Sequence, residues 1–482
     1  MTALELVVYA LLLAVAAAAV WRRPVAALYL FVVGLALHNA VMAALYAAGV
    51  RGSTLTAIAA WKEILLAVAL ARVIRDALRD RALPFRPGVV DWLALAYGAL
   101  VVVYALIPQS ALGGGADRHA VALAAKHDLV PVGAFFLGRS LRIGRDQLRR
   151  LAWTLLGTAG LVALLGIVDV YAVPIGWWRT NGVVDYFHKQ LGYDYHGTGE
   201  HPAVAGLPEN FIYNTGSEQH FLRRLVSTFL SPLAAGYLIV VALLLLPRRR
   251  IAIPLAALAF AGLLFTFSRS SLVALAGGLV VLALASRDWR PLAVAVVVAG
   301  VAVGWAHVFP KIGPTGKWTK ADLVYQRRQA HAATGPTSGS ALSENEPSLH
   351  EHLTELKDGI HTVIHHPQGF GLGNVGQTAS RTGTAIKAGE SNYTEMGAEL
   401  GILGAVLWIA WGLSILVGLW RARAVRMTAA FAAILALAIQ TDVIGDPWVA
   451  YVVWAFAGAL LLKTRPQERL AEKEGAAVPS RA

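Results

Sequence analysis

Apolar runs of about twenty residues recur along most of this chain, and they constrain its fold more than any other feature. A run of that length crosses a ~30 Å hydrocarbon layer as a helix. Lipid offers no partners to the backbone, so each run has to satisfy its own polar groups as an α-helix. The chain is 57% hydrophobic and 15% charged, against roughly 25% charged in ordinary soluble domains. So much apolar surface excludes a soluble globular enzyme.

Spans fall at about 4–20, 25–48, 54–74, 89–107, 120–138, 151–171, 225–246, 251–267, 271–286, 291–308, 392–419, 427–444 and 448–463. The expected fold class is an all-α polytopic transmembrane bundle of about 13 spans. The first run, Leu4 to Val20, has no basic segment before it and is followed by Trp21-Arg22-Arg23-Pro24, so it reads as a retained span rather than a cleaved signal.

Basic residues test that list. Arg22/Arg23, the cluster Arg75/Arg79/Arg81/Arg86, the cluster Arg139/Arg142/Arg145/Arg149/Arg150, Arg248 to Arg250, Arg287/Arg290 and Arg421/Arg423/Arg426 all fall on alternate connections. Lys and Arg accumulate on the cytoplasmic side of membrane proteins, which puts those connections inside. The same alternation places the 172–222 loop, the turn Ser268-Arg269-Ser270 and the 309–390 loop outside. The net charge of +13 is therefore a topology signal. It forms no basic stripe interleaved with aromatics, and no nucleic-acid partner is expected. With no cysteine in the chain, disulfides and thiolate metal ligands are excluded.

The organisation expected is 1–171 N-terminal helices, 172–222 an aromatic-rich extracytoplasmic loop, 223–308 helices with an external arginine turn, 309–391 a large extracytoplasmic loop, 392–463 C-terminal helices and 464–482 a cytoplasmic tail. The first loop carries Trp177, Trp178, Tyr186, Phe187, His188, Tyr193, Tyr195, His196 and His201; the second carries a polar Gly/Ser/Thr stretch at 333–348 and then a helix from Ser348 to Ile364. Loops of this length in a membrane protein point to function.

Ionisable groups within spans are costly and mark function or helix pairing. Lys62 and Glu63 lie in the third span, and Lys126, His127 and Asp128 in the fifth. Lys62, Lys126 and Asp128 are candidates for substrate contact, with mutual charge pairing as the structural alternative. Arg223, Arg224 and Arg269 sit on the side that the positive-inside rule depletes of arginine. A diphosphate calls for planar, permanently charged donors, which guanidinium groups supply; snorkelling at a helix end is the structural alternative. The aromatics of the first loop suit either sugar stacking or an interfacial belt. No histidine pair, His365/His366 included, comes with a further ligand set, so no metal site is expected.

The stretch His366-Pro367-Gln368-Gly369-Phe370-Gly371-Leu372-Gly373-Asn374 is glycine-rich without a βαβ context, and leads on to Glu390-Ser391-Asn392-Tyr393 and Glu399-Leu400-Gly401-Ile402-Leu403-Gly404. With Arg224-Leu225-Val226-Ser227-Thr228-Phe229-Leu230-Ser231-Pro232 and Ser268-Arg269-Ser270, these motifs resemble, in order and in sidedness, the O-antigen ligase and O-antigen polymerase superfamily of bacterial membrane glycosyltransferases. The resemblance covers roughly residues 220 to 410. It implies a GT-C-like architecture in the plasma membrane of a bacterium, a polyprenyl-diphosphate-linked glycan donor, a glycan or lipid acceptor, membrane lipid as a partner and no cofactor. Arg224 and Arg269 would stabilise the leaving diphosphate, with Arg223, Gly371, Gly373, Asn392 and Tyr393 lining the site. The family's ligases carry a histidine base where an ungapped alignment puts Glu390, so the resemblance implies a polymerase-like transferase with Glu390 as base. Ligase-type transfer to a lipid or protein acceptor is the alternative, and a secondary transporter of a small solute is the alternative of another class.

Overall fold

The computed structural model describes residues 3–193, 207–208, 211–213, 219–318, 320, 323–324, 347–385, 387 and 391–461. Helices α1 (Ala3–Arg22), α2 (Ala26–Ala47), α3 (Gly52–Ala59), α4 (Trp61–Asp80), α5 (Val89–Leu106), α6 (Arg118–Ser140) and α7 (Arg145–Ala172) form the first half. Two short surface helices, α8 (Ile175–Thr180) and α9 (Val183–Asp185), precede α10 (Pro232–Leu244), α11 (Ala252–Thr266), α12 (Arg269–Ser286) and α13 (Arg290–Ile312). The chain continues through α14 (Pro347–His365), α15 (Gly376–Thr382), α16 (Asn392–Arg421), α17 (Val425–Leu437) and α18 (Trp454–Leu460).

Among the described residues, seven helices are long and apolar enough to cross a bilayer, namely α2, α5, α6, α7, α12, α13 and α16. Shorter apolar helices lie among them. The protein is an all-α, multi-pass membrane protein; each span read from the sequence overlaps a helix, but the third is split at Ala60 between α3 and α4, the seventh is helical only from Pro232 and the twelfth only as far as Leu437. Its interior packs on aromatics: Trp411 meets Tyr97 and Phe135, and Trp454 meets Trp408 and Phe431. Valines of α13 such as Val294, Val296 and Val297 point away from the protein, as a lipid-facing helix requires. Glycines bring α6 and α18 backbone to backbone, since a Cβ on Gly138 would strike the Ala455 carbonyl and one on Gly458 the Phe135 carbonyl. Apolar burial gains nothing between helices in lipid, so close van der Waals packing of this kind is what holds them.

One end of the bundle carries the long loops. There β1 (Ile212–Tyr213), β2 (His220–Arg223) and β3 (Thr315–Lys317) pair antiparallel in that order, with Ile212 opposite Arg223 and Phe221 opposite Gly316. This small sheet ties the first long loop to the start of the second. Beneath it Trp178, Tyr186, Phe211, Phe221 and Trp318 pack with Met42, Tyr46 and Ile58 into a core of their own. Trp178 is therefore a packing residue, its indole donating to the Asp169 carboxylate at 2.7 Å, while its neighbour Trp177 is exposed.

The helix expected from Ser348 to Ile364 runs from Pro347 to His365. The eleventh span differs from expectation. Within α16, Gly401 takes φ +73°, a left-handed conformation that ends helical hydrogen bonding, so Asn392–Leu400 is a separate helical segment and the spanning helix begins at Ile402. The glycine-rich turn fills the break: Phe370 donates to the Ala398 carbonyl at 2.7 Å, Gly371 to the Glu399 carbonyl at 3.0 Å, and Ile402 to the Pro367 carbonyl at 2.9 Å. Backbone freed at membrane depth is tolerated where protein satisfies it, and this turn does so.

Candidate functional site

Three groups of polar residues gather toward the loop end. The first is built on Arg224 and Arg269. Phe267 closes α11 in a left-handed conformation, and Ser268, accepting from the Ser271 amide at 3.4 Å, caps α12 so that Arg269 becomes its first residue. The segment after β2 is lashed to the end of α11: Leu225 donates to the Phe265 carbonyl and the Arg224 Nε to the Thr266 carbonyl, both at 2.9 Å. Arginines far apart in sequence thereby meet, with Arg269 lying 5.9 Å from the Tyr213 ring. Burial first, and then the like charge of Arg269, pull the Arg224 guanidinium down to about 10. Two like charges brought near one another gain from an anion between them.

Arg223 turns the other way. Its guanidinium donates to the carbonyls of Val170 and Val173 at 3.1 and 2.8 Å and lies 3.6 Å from Asp169, which satisfies the C-terminal end of α7.

The second group joins α2, α4 and α6. Glu63 lies between Lys62 and Lys126, 3.5 and 3.4 Å away. Lys62 also reaches His38 Nε2 at 3.4 Å and donates to the Ala59 carbonyl at 2.8 Å, and Trp61 donates to His38 Nδ1 at 3.1 Å. Lys62 is buried and occupied, whereas Lys126 is half exposed.

The third group begins at the next residue of α6. His127 sits between two carboxylates, Asp128 at 2.8 Å and Asp442 at 3.0 Å. Asp442 in turn accepts from Asn392 Nδ2 at 2.6 Å and from the Gly445 amide, and Asn392 Oδ1 accepts from the Val443 amide at 2.8 Å. Asp128 and Asn392, both expected at a site, are thus linked through His127 and Asp442. Glu395 and Glu399, one turn apart on the short segment of α16, are buried beside this network. Glu399 Oε1 accepts from the Gly373 amide at 2.8 Å. His127, Glu395 and Asp442 bring ligand atoms within 4.8 Å of one another, and this trio is where a cation would be held if one were.

The remaining expected residues serve the frame. Gly371 and Gly373 have φ of +87° and +79°, and a Cβ on Gly371 would strike the Gln109 side chain. Tyr393 donates to the Leu435 carbonyl at 2.7 Å. Glu390 lies outside the described residues, as do Tyr195, His196, His201 and the tail 464–482. Sequence reasoning missed His38, Tyr213, Glu395 and Asp442. Asp442 carried a usable signal, an acid inside an apolar span; Tyr213 carried none.

Residues 254–409 match the family model described as O-Antigen ligase. Over that segment the chain is similar to the O-antigen ligase family. No curated protein matches it. The matched segment runs from α11 to the middle of α16. It therefore takes in Arg269, the glycine-rich turn, Glu395 and Glu399, while Arg224, His127 and Asp442 lie outside it. The match supports a membrane glycan-processing role of the O-antigen ligase or polymerase kind.

Proposed function

We propose that the protein is an inverting glycosyltransferase that extends or transfers a polyprenyl-diphosphate-linked glycan at the outer face of a bacterial plasma membrane, without a metal ion in the chemical step. The observation that carries this reading is the placement of Arg224, tied to the Thr266 carbonyl at the end of α11, near Arg269 at the start of α12. In the proposed step an acceptor hydroxyl attacks the anomeric carbon. A new C–O bond forms as the bond to the diphosphate oxygen breaks, and that oxygen leaves with the electron pair. A single displacement inverts the anomeric centre. Charge grows on the departing diphosphate, where fixed guanidinium donors act most strongly. The hydroxyl proton passes to a general base, for which Glu390 is the candidate.

The paired chemistry of Lys62, Glu63 and Lys126 supports a role in holding α4 to α6 rather than in moving a solute. Purified full-length protein in detergent, given a lipid-linked glycan and analysed by mass spectrometry, tests the function, because transfer needs one compartment and transport needs two. Products longer by whole repeat units support a polymerase; a glycan moved onto a different lipid or a protein supports ligase-type transfer; unchanged donor rejects both. A cysteine placed at Ser338 tests sidedness, since the chain has none of its own. It should react with an impermeant maleimide in intact cells.

A further inference from the structure

His127 stands in α6 with both ring nitrogens against carboxylates, Nδ1 2.8 Å from Asp128 Oδ1 and Nε2 3.0 Å from Asp442 Oδ2. A neutral imidazole has one N–H, so with Asp128 served from Nδ1 the lone pair of Nε2 faces Asp442 directly. Something positive has to lie between those two atoms. A proton there satisfies that pair alone, and Glu395 asks for more. Glu395 is 2% exposed, its Oε2 accepts no hydrogen bond, and one of its oxygens lies within 4.8 Å of the ligand atoms of both His127 and Asp442. Burying a carboxylate without a partner is costly. Among the described residues no lysine or arginine pairs with Asp128, Glu395, Glu399 or Asp442.

We infer that His127 Nε2, Asp442 Oδ2 and a carboxylate oxygen of Glu395 bind one divalent metal ion, which ties together α6, the short segment of α16 and the chain that follows α17. The residues around the three ligands are those a metal site needs. A metal-bound histidine donates its other N–H to a carboxylate, as His127 does to Asp128, and metal-bound carboxylates are themselves hydrogen-bonded. Asp442 divides its oxygens accordingly: Oδ1 accepts from Asn392 Nδ2 at 2.6 Å and from the Gly445 amide at 2.9 Å, which leaves Oδ2 for the ion. Ligands about 2.1 Å from a tetrahedral ion stand ~3.4 Å apart. A set already within 4.8 Å closes on such an ion by small side-chain movements. One imidazole with two carboxylates selects zinc over magnesium and calcium, which take oxygen ligands. The His127 side chain is 14% exposed, and this leaves the ion a way in. No ligand contacts Arg224 or Arg269, so the ion is structural and the inference stands apart from the transfer chemistry proposed above.

The test uses the full-length protein in detergent, carrying a tag without histidines, stripped with EDTA and then titrated with zinc chloride. Bound metal is counted by elemental mass spectrometry, and melting is followed with and without zinc. The expected result is a single zinc per chain and a higher melting temperature, because an ion held only by the folded state stabilises it. Asp128→Asn, which alters only the support of the histidine, should weaken zinc by about 10–100-fold, and Glu395→Gln, which removes a ligand, by more. In EDTA, Glu395→Gln should melt no lower than the unaltered protein, since Glu395 Oε2 has no hydrogen bond to lose. Zinc held by Glu395→Gln as tightly as by the unaltered protein overturns the inference. So does an unaltered protein that neither binds zinc nor gains stability from it. The stacked rings of His361 and His365, 3.9 Å apart on the exposed side of α14, are the rival zinc ligands. Binding that disappears in the double variant His361→Gln with His365→Gln, and survives in Glu395→Gln, assigns the zinc to that surface pair and overturns the buried site.

Discussion

The amide of Gly373 donates to the side chain of Glu399 at 2.8 Å, so the glycine-rich turn and the broken helix it packs against hold each other in place. The turn supplies donors that the interrupted helix lacks, and the break supplies room that only glycine leaves. A Cβ on Gly401 would strike the Pro367 carbonyl, and at φ +73° any other residue adds about 1–2 kcal/mol of backbone strain before that clash. Gly401→Ala is expected to lower the melting temperature in detergent clearly more than Gly300→Ala, which meets nothing within 4 Å and keeps a helical backbone. Equal melting of the two variants would show that the break is not required.

Asp442 holds three elements at once through His127, Asn392 and the Gly445 amide. Removing one partner of a buried charged pair costs about 3–5 kcal/mol, because the other is left uncompensated. Asp442→Asn is accordingly expected to give little monodisperse protein. The double variant His127→Gln with Asp442→Asn, which removes the imidazole and a carboxylate together, should recover part of the yield. Fluorescence-detected size exclusion of both variants measures this.

Arg269→Ala is expected to slow turnover by on the order of 10²–10³, the usual loss for one preorganised donor, and Lys to rescue poorly because it lacks the planar fork. The lowered value of Arg224 adds a pH dependence. A cation whose folded value falls below its unfolded one opposes folding while it is charged, and that opposition fades as pH rises through about 10. A bound diphosphate relieves the same repulsion at neutral pH. Inorganic diphosphate should therefore raise the melting temperature at pH 7, do so less in Arg269→Ala, and lose its effect above pH 10. Melting curves with and without the anion at both pH values check the sign.

Glu390→Gln keeps the size of the side chain and removes its ability to take a proton. Loss of general-base assistance is expected to cost ~10²–10⁴ in rate while donor binding survives. The competing role, a carboxylate near the start of α16, is worth about 0.3–1 kcal/mol to the helix and predicts an active protein that melts slightly earlier. Measuring rate, donor affinity and melting on one preparation separates the two.

What could be read from the sequence was what depends on neighbours along the chain. A twenty-residue apolar run needs no partner to become a helix in lipid, so the spans were legible, and the Ser268-Arg269-Ser270 turn was legible because it lies between two of them. Glu-Leu-Gly at 399–401 was visible as a motif, but that it breaks the helix was not, since Gly401 is left-handed only where the Pro367 carbonyl is brought against it. His127 was noticed beside Asp128, yet its second carboxylate lies 315 residues away. No local pattern encodes which acid a helix will meet when two spans pack, and several other membrane-embedded charges were equally available to pair. The meeting of Arg224 with Arg269 depends likewise on two backbone hydrogen-bonding choices at the end of α11. Sequence alone therefore determined that this chain crosses the membrane many times and which residue types were costly to bury. Tertiary packing alone decided which of those residues face one another, because in lipid that choice rests on the fit of helix surfaces, a property of the assembled bundle rather than of any one segment.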